Sequence, residues 1–412
     1  MGETASVATG LRAFKAFESR EFRLVWSAQA VSLVGDAAFV TALGWRTFTL
    51  AGSGKLGIVL VCQSLAVLAT VLIGGALADR LPRRTMMIAS DLARFAAVGV
   101  LAALDASGRL DFPALLALAT LMGLGDGFFY PAFGGIVPLL VEPSEPSAVP
   151  SANAMIGIAR WSSLLLGPSL AAFVYGGAGS ATVFALDAVT FLFSAALLWA
   201  TKPRPAEPSA SEGTIREIWT GVRYVSRIPW LWVTIAVFAL VLMLQFAPQQ
   251  VLMPKLVAEH FHRGVAAYGL LASLLGVGTI AGTLLFGQLQ PRRRRGLLSY
   301  AVWLVNSLCI AGLVLSPWYE LAGVLAVVRG ACIGFSIAVW ETMLMELVPE
   351  NMLSRVVSLD FFGSFGLMPL GLALSAGIAG LASPSAIIAS GAIVSAAIIA
   401  GVMTRPWLRA VD

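Results

Sequence analysis

The sequence is poor in the residues from which metal sites and disulfide frameworks are built. Its 412 residues include three cysteines and two histidines. Cys62, Cys309 and Cys332 all fall inside apolar runs, without the spacing of a disulfide framework or a zinc site. His260 and His262 share one polar loop that has no cysteine or carboxylate cluster beside it, so no metal ion is expected there. These shortages argue against a metalloenzyme and against a small domain held together by disulfides.

Charge is also scarce, since 12% of the residues are charged whereas 58% are hydrophobic. That composition lies far outside the range of soluble globular domains. Apolar stretches of about 18 residues or more recur from Phe22 to Met403, which indicates an integral membrane protein rather than a signal peptide followed by a soluble domain. The net charge of +5 does not indicate nucleic-acid binding, because the basic residues lie between apolar runs. The sequence lacks the ATP-binding pattern G-x-x-x-x-G-K-[ST], so an ion or substrate gradient is the expected energy source.

A span of about 20 residues crosses a bilayer, and by that measure the chain divides into twelve spans. We place these spans near 23–45, 56–79, 85–104, 113–140, 151–175, 181–200, 230–250, 265–290, 297–315, 320–347, 354–380 and 384–404. Of the 27 Lys and Arg residues, nineteen fall in connections on the side of the N-terminus, five on the opposite side and three within spans. Because basic connections are retained in the cytoplasm, both termini are predicted to be cytoplasmic.

One connection, residues 201–229, is much longer than the others and divides the chain into predicted halves 1–200 and 230–412. Its first half is rich in Pro, Ser, Glu and Arg, as linkers are. Its second half, Thr214 to Arg227, mixes charged and apolar residues. That mixture predicts either an amphipathic helix on the inner membrane surface or a disordered tether.

The two halves repeat each other. One alignment of the sequence with itself, which we call the first alignment, superimposes five identical pairs: Gly57 with Gly269, Gly75 with Gly287, Leu77 with Leu289, Arg80 with Arg292, and Arg83 with Arg295. A second alignment, with a slightly smaller offset, superimposes GFFYPAF, residues 127–133, on GFSIAVW, residues 334–340. Two six-span halves in the same orientation are typical of transporters that rock one half against the other about a central site.

The stretch GALADRLPRR, residues 75–84, resembles the signature G-x-L-a-D-R-x-G-R-R between the second and third helices of the major facilitator superfamily. Only Pro82 departs from it, in the place of a glycine. The resemblance implies a cytoplasmic gate in which Asp79 faces the start of the eleventh helix, braced by the arginines. The alternative is that the arginines only anchor the orientation of the chain in the membrane. The predicted gate residues are Gly75, Asp79, Arg80, Arg83 and Arg84.

The stretch SSLLLGPSLAAF, residues 162–173, partly resembles the fifth-helix signature of drug:proton antiporters through Gly167 and Pro168. A Gly-Pro pair frees a backbone carbonyl and lets a helix bend, although an ordinary kink is the alternative. FRLVWSAQAVSLVGDAAFVTALGW, YPAF and SANAMIGIARWSSLLLGP resemble the branch that contains macrolide efflux pumps and bacterial siderophore exporters. The fourth-helix arginine of many such antiporters is absent, and LALATLMGLGDGFF has Asp126 there instead.

Ionisable residues within spans are expensive and are functional candidates by default. Asp36 in helix one and Asp126 in helix four are predicted to couple transport to protons, with a structural hydrogen bond as the alternative. Arg160 in helix five lies at a similar depth to Asp126 and is expected to pair with it. Arg329 in helix ten is expected to attract an anionic group of the substrate or a carboxylate of the protein. Asp187 in helix six is expected to be solvated near the outer face.

Two further sets of residues are predicted from their depth in the membrane. Gln245 and Trp340 are candidates for an apolar substrate cavity. Five charges near the inner ends of helices three, ten and eleven are expected to close the cytoplasmic side through salt bridges between the halves. They are Asp91, Arg94, Glu341, Arg355 and Asp360.

The sequence therefore predicts an all-α membrane protein of twelve helices in two six-helix pseudo-repeats, with the major facilitator fold. We expect a monomer in the bacterial cytoplasmic membrane that exports an amphipathic, drug-like molecule by alternating access and proton antiport. Its partners are a small-molecule substrate and the lipid bilayer, and no cofactor or nucleic acid is expected. The alternatives are a dedicated exporter of a siderophore or secondary metabolite, and an importer. An enzyme is disfavoured because no catalytic constellation is evident, and a channel is disfavoured because it would not need two equivalent halves with a charged gate.

Overall fold

The computed structural model describes residues 14–78, 81–142, 145, 147–205 and 214–409, and within these ranges it contains helices and no strand. The α-helices are α1 (Arg20–Ala51), α2 (Ser53–Ala78), α3 (Arg83–Ala106), α4 (Phe112–Ile136), α5 (Ala148–Ala200), α6 (Thr214–Ser226), α7 (Pro229–Val241), α8 (Ala247–Glu259), α9 (Val265–Leu289), α10 (Arg295–Leu315), α11 (Tyr319–Leu347), α12 (Glu350–Phe365), α13 (Met368–Ile378), α14 (Pro384–Met403) and α15 (Pro406–Arg409). Lys15–Glu18 and Val137–Leu139 form 3₁₀ turns, and Leu242–Phe246 forms a π-helical turn between α7 and α8.

Eleven helical stretches of the described chain are long and apolar enough to cross a membrane. Twelve spans are predicted from the sequence, and the predicted fifth and sixth spans share one continuous stretch, the 53-residue α5. Its backbone leaves helical geometry at Gly179, where φ is 81° and ψ is 172°. Glycine tolerates that conformation because it has no Cβ atom. Gly179 lies between the predicted spans 151–175 and 181–200.

The chain packs as two compact units. The first unit comprises residues 1–50 and 62–209, and the second comprises residues 51–61 and 210–412. Residues 51–61 belong to the second unit because the start of α2 packs against α13, where a Cβ atom at Gly57 would collide with Ala376. The predicted boundaries at 200 and 230 stay a prediction, since the packing alone assigns no separate linker.

The two units repeat the same order of helices in the register of the two sequence alignments. The first alignment superimposes the first residues of α2 and α3 on those of α9 and α10, and the second superimposes the first residue of α4 on that of α11. The close approaches between these helices repeat as well, because glycines of α4 and α11 lie against backbone carbonyls of α2 and α9. The four contacts are Gly123 with Gln63, Gly127 with Val67, Gly330 with Leu275, and Gly334 with Thr279. Both units therefore use glycine at related positions to bring helix backbones together.

Thr214 to Ser226 forms helix α6, so this part of the long connection is not a disordered tether. Val225 on one face of α6 is buried against α7 and α12, in a cluster with Leu231, Ile235 and Val356. Trp219, which lies about 120° around the helix from Val225, is 69% exposed. The helix therefore has one packed face and one uncovered aromatic face within the second unit.

Candidate functional site

Arg94 of α3 lies at the centre of a buried charged group in the first unit. Its Nη1 atom donates to Asp126 Oδ1 of α4 at 3.0 Å, and its Nη2 atom donates to Asp91, one turn earlier in α3. The guanidinium lies between the rings of Phe129 and Phe191, at 4.3 and 4.4 Å from their centroids. Only 2% of the Arg94 side chain is exposed. The charge is thus held by two carboxylates and two aromatic faces, away from solvent.

Two further carboxylates lie close to this group without a cation of their own. Asp187 of α5 is 1% exposed; its Oδ1 atom accepts a hydrogen bond from Thr190 at 3.3 Å, and its Oδ2 atom has no partner among the described residues. The Oδ1 atom of Asp36 in α1 is buried and likewise unpaired. Gly35 lets these two helices approach, because a Cβ atom there would lie 2.5 Å from Asp187 Oδ1. Both carboxylates interact electrostatically with Arg94.

We call Asp36, Asp91, Arg94, Asp126 and Asp187 the acidic centre. If every member were ionised, four negative charges would surround one positive charge in a low-dielectric interior. Uncompensated buried charges cost several kcal/mol each, so such a centre favours the uptake of protons or of a cation.

Three expectations for this region are wrong. Asp126 pairs with Arg94, whereas Arg160 is exposed, so the pair expected between Asp126 and Arg160 does not form. Arg94 pairs with both Asp91 and Asp126 inside the first unit, whereas Asp91 and Arg94 were expected to form salt bridges between the halves. Asp187 is buried rather than solvated. Each error has the same physical cause, because depth along a helix was estimated without knowing which face of the helix turns inward.

The gate motif is described only in part, since Asp79 and Arg80 lie outside the described residues. Arg83 Nη1 donates to the carbonyl of Gly135, and Arg84 donates to the carbonyls of Leu198 and Trp199 at 2.9 and 2.6 Å. These bonds tie the start of α3 to the ends of α4 and α5. A Cβ atom at Gly75 would meet no described atom within 4 Å, so no packing among the described residues requires glycine there.

The fifth-helix motif lies beside the acidic centre. Gly167 and Pro168 are both buried in α5. A Cβ atom at Gly167 would collide with Ala37 and lie 2.9 Å from the backbone nitrogen of Ala38, so glycine lets α5 approach α1 next to Asp36. The α-helix continues through Pro168.

The second unit contains a buried polar network centred on Asn306 of α10. Gln245, in the π-helical turn, donates to Ser307 at 2.7 Å and accepts from Asn306 Nδ2 at 3.2 Å. The Oδ1 atom of Asn306 faces Nε of Arg329 in α11 at 3.5 Å. Arg329 is 4% exposed. The fold thus joins two predicted residues, Gln245 and Arg329, through an asparagine that sequence reasoning missed.

The remaining predicted residues lie in α11 and α12. Trp340 Nε1 donates to Asp360 Oδ2 at 2.9 Å, so this tryptophan and this carboxylate form one hydrogen-bonded pair in the second unit. Glu341 is exposed on α11. Arg355 lies 3.8 Å from the sulfur of Met352 and forms no ion pair within the described ranges.

The comparisons with known proteins start with a family model described as transmembrane secretion effector, which matches residues 11–411. The chain belongs to this family of the major facilitator superfamily. It is 25% identical to macrolide efflux protein A of Streptococcus pyogenes over 364 residues, covering 86% of this chain and 88% of that protein. It is 27% identical to the enterobactin exporter EntS of Citrobacter koseri over 373 residues, covering 89% of this chain and 86% of that protein.

Solved structures agree on the fold. A nucleoside transporter NupG mutant superimposes with a TM-score of 0.76 at 12% identity, covering 94% of this chain and 100% of that chain. A bacterial homologue of ferroportin in an inward-facing state superimposes with a TM-score of 0.71 at 16% identity, covering 94% and 99%. The resemblance to the major facilitator superfamily is therefore confirmed, and the protein is a multi-pass membrane transporter with efflux proteins among its relatives.

Proposed function

We propose that this major facilitator protein exports an amphipathic small molecule from the bacterial cytoplasm by proton antiport. The acidic centre carries the proposal, because four carboxylates around one buried guanidinium, with Asp91 and Asp187 fully buried and Asp36 and Asp126 partly buried, provide sites at which protons neutralise charge. Its two relatives named above are a macrolide efflux protein and an enterobactin exporter, which supports the outward direction.

In the proposed cycle, Asp36 and Asp187 are the proton carriers, since neither has a cation bonded to it. Asp126 stays bonded to Arg94 until the helices around it move, and Phe129 and Phe191 keep water from the guanidinium. Protonation removes negative charge from the membrane interior and favours one conformation of the centre; deprotonation favours the other. Alternating access then follows from the same change in charge.

The proposal includes the predicted topology of twelve spans, with α5 crossing twice about Gly179, both termini in the cytoplasm and a monomer as the working unit. Asp79 would close the cytoplasmic gate, with Arg83 and Arg84 fixing the start of α3 beside it. Helix α6 would lie on the inner membrane surface, supported by its uncovered Trp219.

A dedicated exporter of a siderophore or another secondary metabolite is the second candidate. The similarity to an enterobactin exporter, over 89% of this chain, is the observation that favours it. It differs from the first candidate in substrate range, not in mechanism.

Inverted membrane vesicles test the function. Vesicles with an acidic lumen receive a panel of lipophilic cations, macrolides and siderophores, and uptake is followed in wild type, Asp36→Asn and Asp126→Asn. Asp111→Asn is the control, because Asp111 caps α4 at an exposed position and asparagine caps helices equally well. We expect uptake that disappears when the gradient is collapsed. Asp36→Asn should abolish it by removing a proton carrier, and Asp126→Asn by breaking the ion pair with Arg94, whereas Asp111→Asn should leave it unchanged. Uptake that ignores both the gradient and the variants would leave an exporter without proton coupling. Broad uptake favours the drug exporter, and uptake of siderophores alone favours the dedicated one.

A further inference from the structure

We infer that Arg329 is the anchor of an anion-binding subsite in the second unit, which recognises substrates carrying a carboxylate, phosphate or similar anionic group. The inference rests on the proposed transport function for its physiological meaning. Its chemistry can be tested on the purified protein without transport.

Arg329 is buried without a counter-ion. No described carboxylate forms an ion pair with it, whereas the buried arginines Arg94 and Arg295 both have acidic partners, Asp126 for the first and Glu346 for the second. The titratable groups that face Arg329 are the thiols of Cys309 and Cys332, which carry no charge in their thiol form. A lone buried guanidinium is strongly unfavourable in a protein interior and more so within a membrane. An anion that enters with the substrate would remove that cost.

The network beside Arg329 holds the guanidinium in a fixed direction. Asn306 directs Oδ1 at Nε because its own amide nitrogen is bonded to Gln245. Gln245 is in turn fixed by Ser307 and by its place in the π-helical turn, a feature that is frequent at functional sites. The amide oxygen of Asn306 thus bonds to Nε of Arg329. The two terminal nitrogens of the guanidinium, Nη1 and Nη2, bond to no described residue. Two parallel N–H groups of this kind match the geometry of a carboxylate or phosphate.

The test uses three probes of similar size and different charge: 1-naphthoate, 1-naphthamide and 1-naphthylmethylammonium. Binding to the purified full-length chain in neutral detergent is measured by calorimetry. We expect wild type to bind naphthoate at least about tenfold more tightly than the other two. Arg329→Gln should abolish that preference. Arg329→Lys should keep part of it, because lysine keeps the positive charge but lacks the two parallel N–H donors of the guanidinium. Arg263→Gln is the matched control, because Arg263 is exposed and pairs with Glu320 at 3.7 Å.

A second readout separates an anion site from a structural arginine. If Arg329 lacks a partner, Arg329→Gln should raise the thermal midpoint of the anion-free protein and cancel the upward shift that naphthoate causes in wild type. A lowered midpoint would overturn the inference. Equal binding of the three probes to wild type would also overturn it, and that result does not depend on the stability of any variant.

An anionic lipid headgroup offers the same chemistry as an anionic substrate. Nanodiscs of phosphatidylcholine with or without phosphatidylglycerol distinguish them. Unchanged naphthoate binding in both supports a substrate subsite, whereas loss of binding with phosphatidylglycerol would reject the substrate role. If the purified protein prefers naphthoate but the inverted vesicles take up none of the tested compounds, the proposed export function is wrong and the anion subsite stands.

Discussion

The buried centres of the two units lie at related positions but carry opposite imbalances of charge. The first alignment, which relates α3 to α10, places Arg94 of the first unit on Asn306 of the second. The second alignment, which relates α4 to α11, places Met122 on Arg329. The first unit surrounds its guanidinium with carboxylates, and the second gives its guanidinium an amide.

The two units share their helix packing but differ in their buried charges, so one can change without the other in this repeat. Glycines contact backbone carbonyls at the same relative positions in both units, because any side chain there would hold the helices apart. The polar residues beside those glycines, such as Asp126 and Arg329, are under no such restriction. Under the two proposals, the first unit would hold protons and the second an anion on one pattern of helices.

The largest expected difference between the two units comes from removing the guanidinium of Arg94 or that of Arg329. Arg94→Gln leaves four carboxylates without a cation, and breaking a buried pair in this way costs about 3–5 kcal/mol. We expect a large drop in thermal midpoint in detergent, against a rise for Arg329→Gln. If both variants lose stability equally, the two centres do not differ as described.

The packing repeat predicts equal damage in both units. Gly127→Ala places a methyl group against the hydroxyl of Thr70 and the carbonyl of Val67, and Gly334→Ala places one against the carbonyl of Thr279 and the hydroxyl of Thr283. Overpacking of this kind costs about 1–3 kcal/mol. Thermal unfolding should show similar losses for the two variants. Gly176→Ala is the control, because a Cβ atom there would meet nothing within 4 Å. If only one of the two variants lost thermal stability, the packing of the two units would not be equivalent.

The proton-carrying role predicts that Asp187→Asn lowers gradient-driven uptake about tenfold while the protein stays folded. Asparagine keeps the shape and the bond from Thr190 but cannot exchange a proton, and a factor of ten corresponds to about 1.4 kcal/mol. Initial uptake rates in inverted vesicles measure the effect. Asp105→Asn is a charge-matched comparison, since Asp105 already has Arg46 as its cation at 2.8 Å. Wild-type rates for Asp187→Asn would leave Asp36 as the remaining carrier.

The smallest expected effect on stability comes from placing a carboxylate beside Arg329 in the second unit. Asn306→Asp places an acid 3.5 Å from Nε of Arg329 with little change in volume. We expect a change in stability within about 1 kcal/mol, since a new buried pair gains attraction and loses solvation. Naphthoate should no longer be preferred over naphthamide in calorimetry. A preference that survives would place the anion elsewhere.

Much of the fold was predictable because the signals are local. Span length, the excess of basic residues on one side, and the two alignments of the sequence with itself depend only on the order of residues in the chain. The loop motif and the Gly-Pro pair identified the superfamily for the same reason. The spacing of Asp91 and Arg94, one helical turn apart, was a usable local signal for their pairing, because such residues face the same side of a helix.

Composition and residue order were enough to identify this protein as a membrane-spanning repeat with a few costly charges inside it. Only the tertiary structure decided which of those charges meet. Asp126 pairs with Arg94 rather than Arg160, Asp187 lies buried beside Gly35, and Arg329 faces an amide instead of an acid. The reason is that hydrophobicity fixes how deep a residue lies, whereas the rotation of each helix about its axis, set by close packing at glycine, fixes its neighbours.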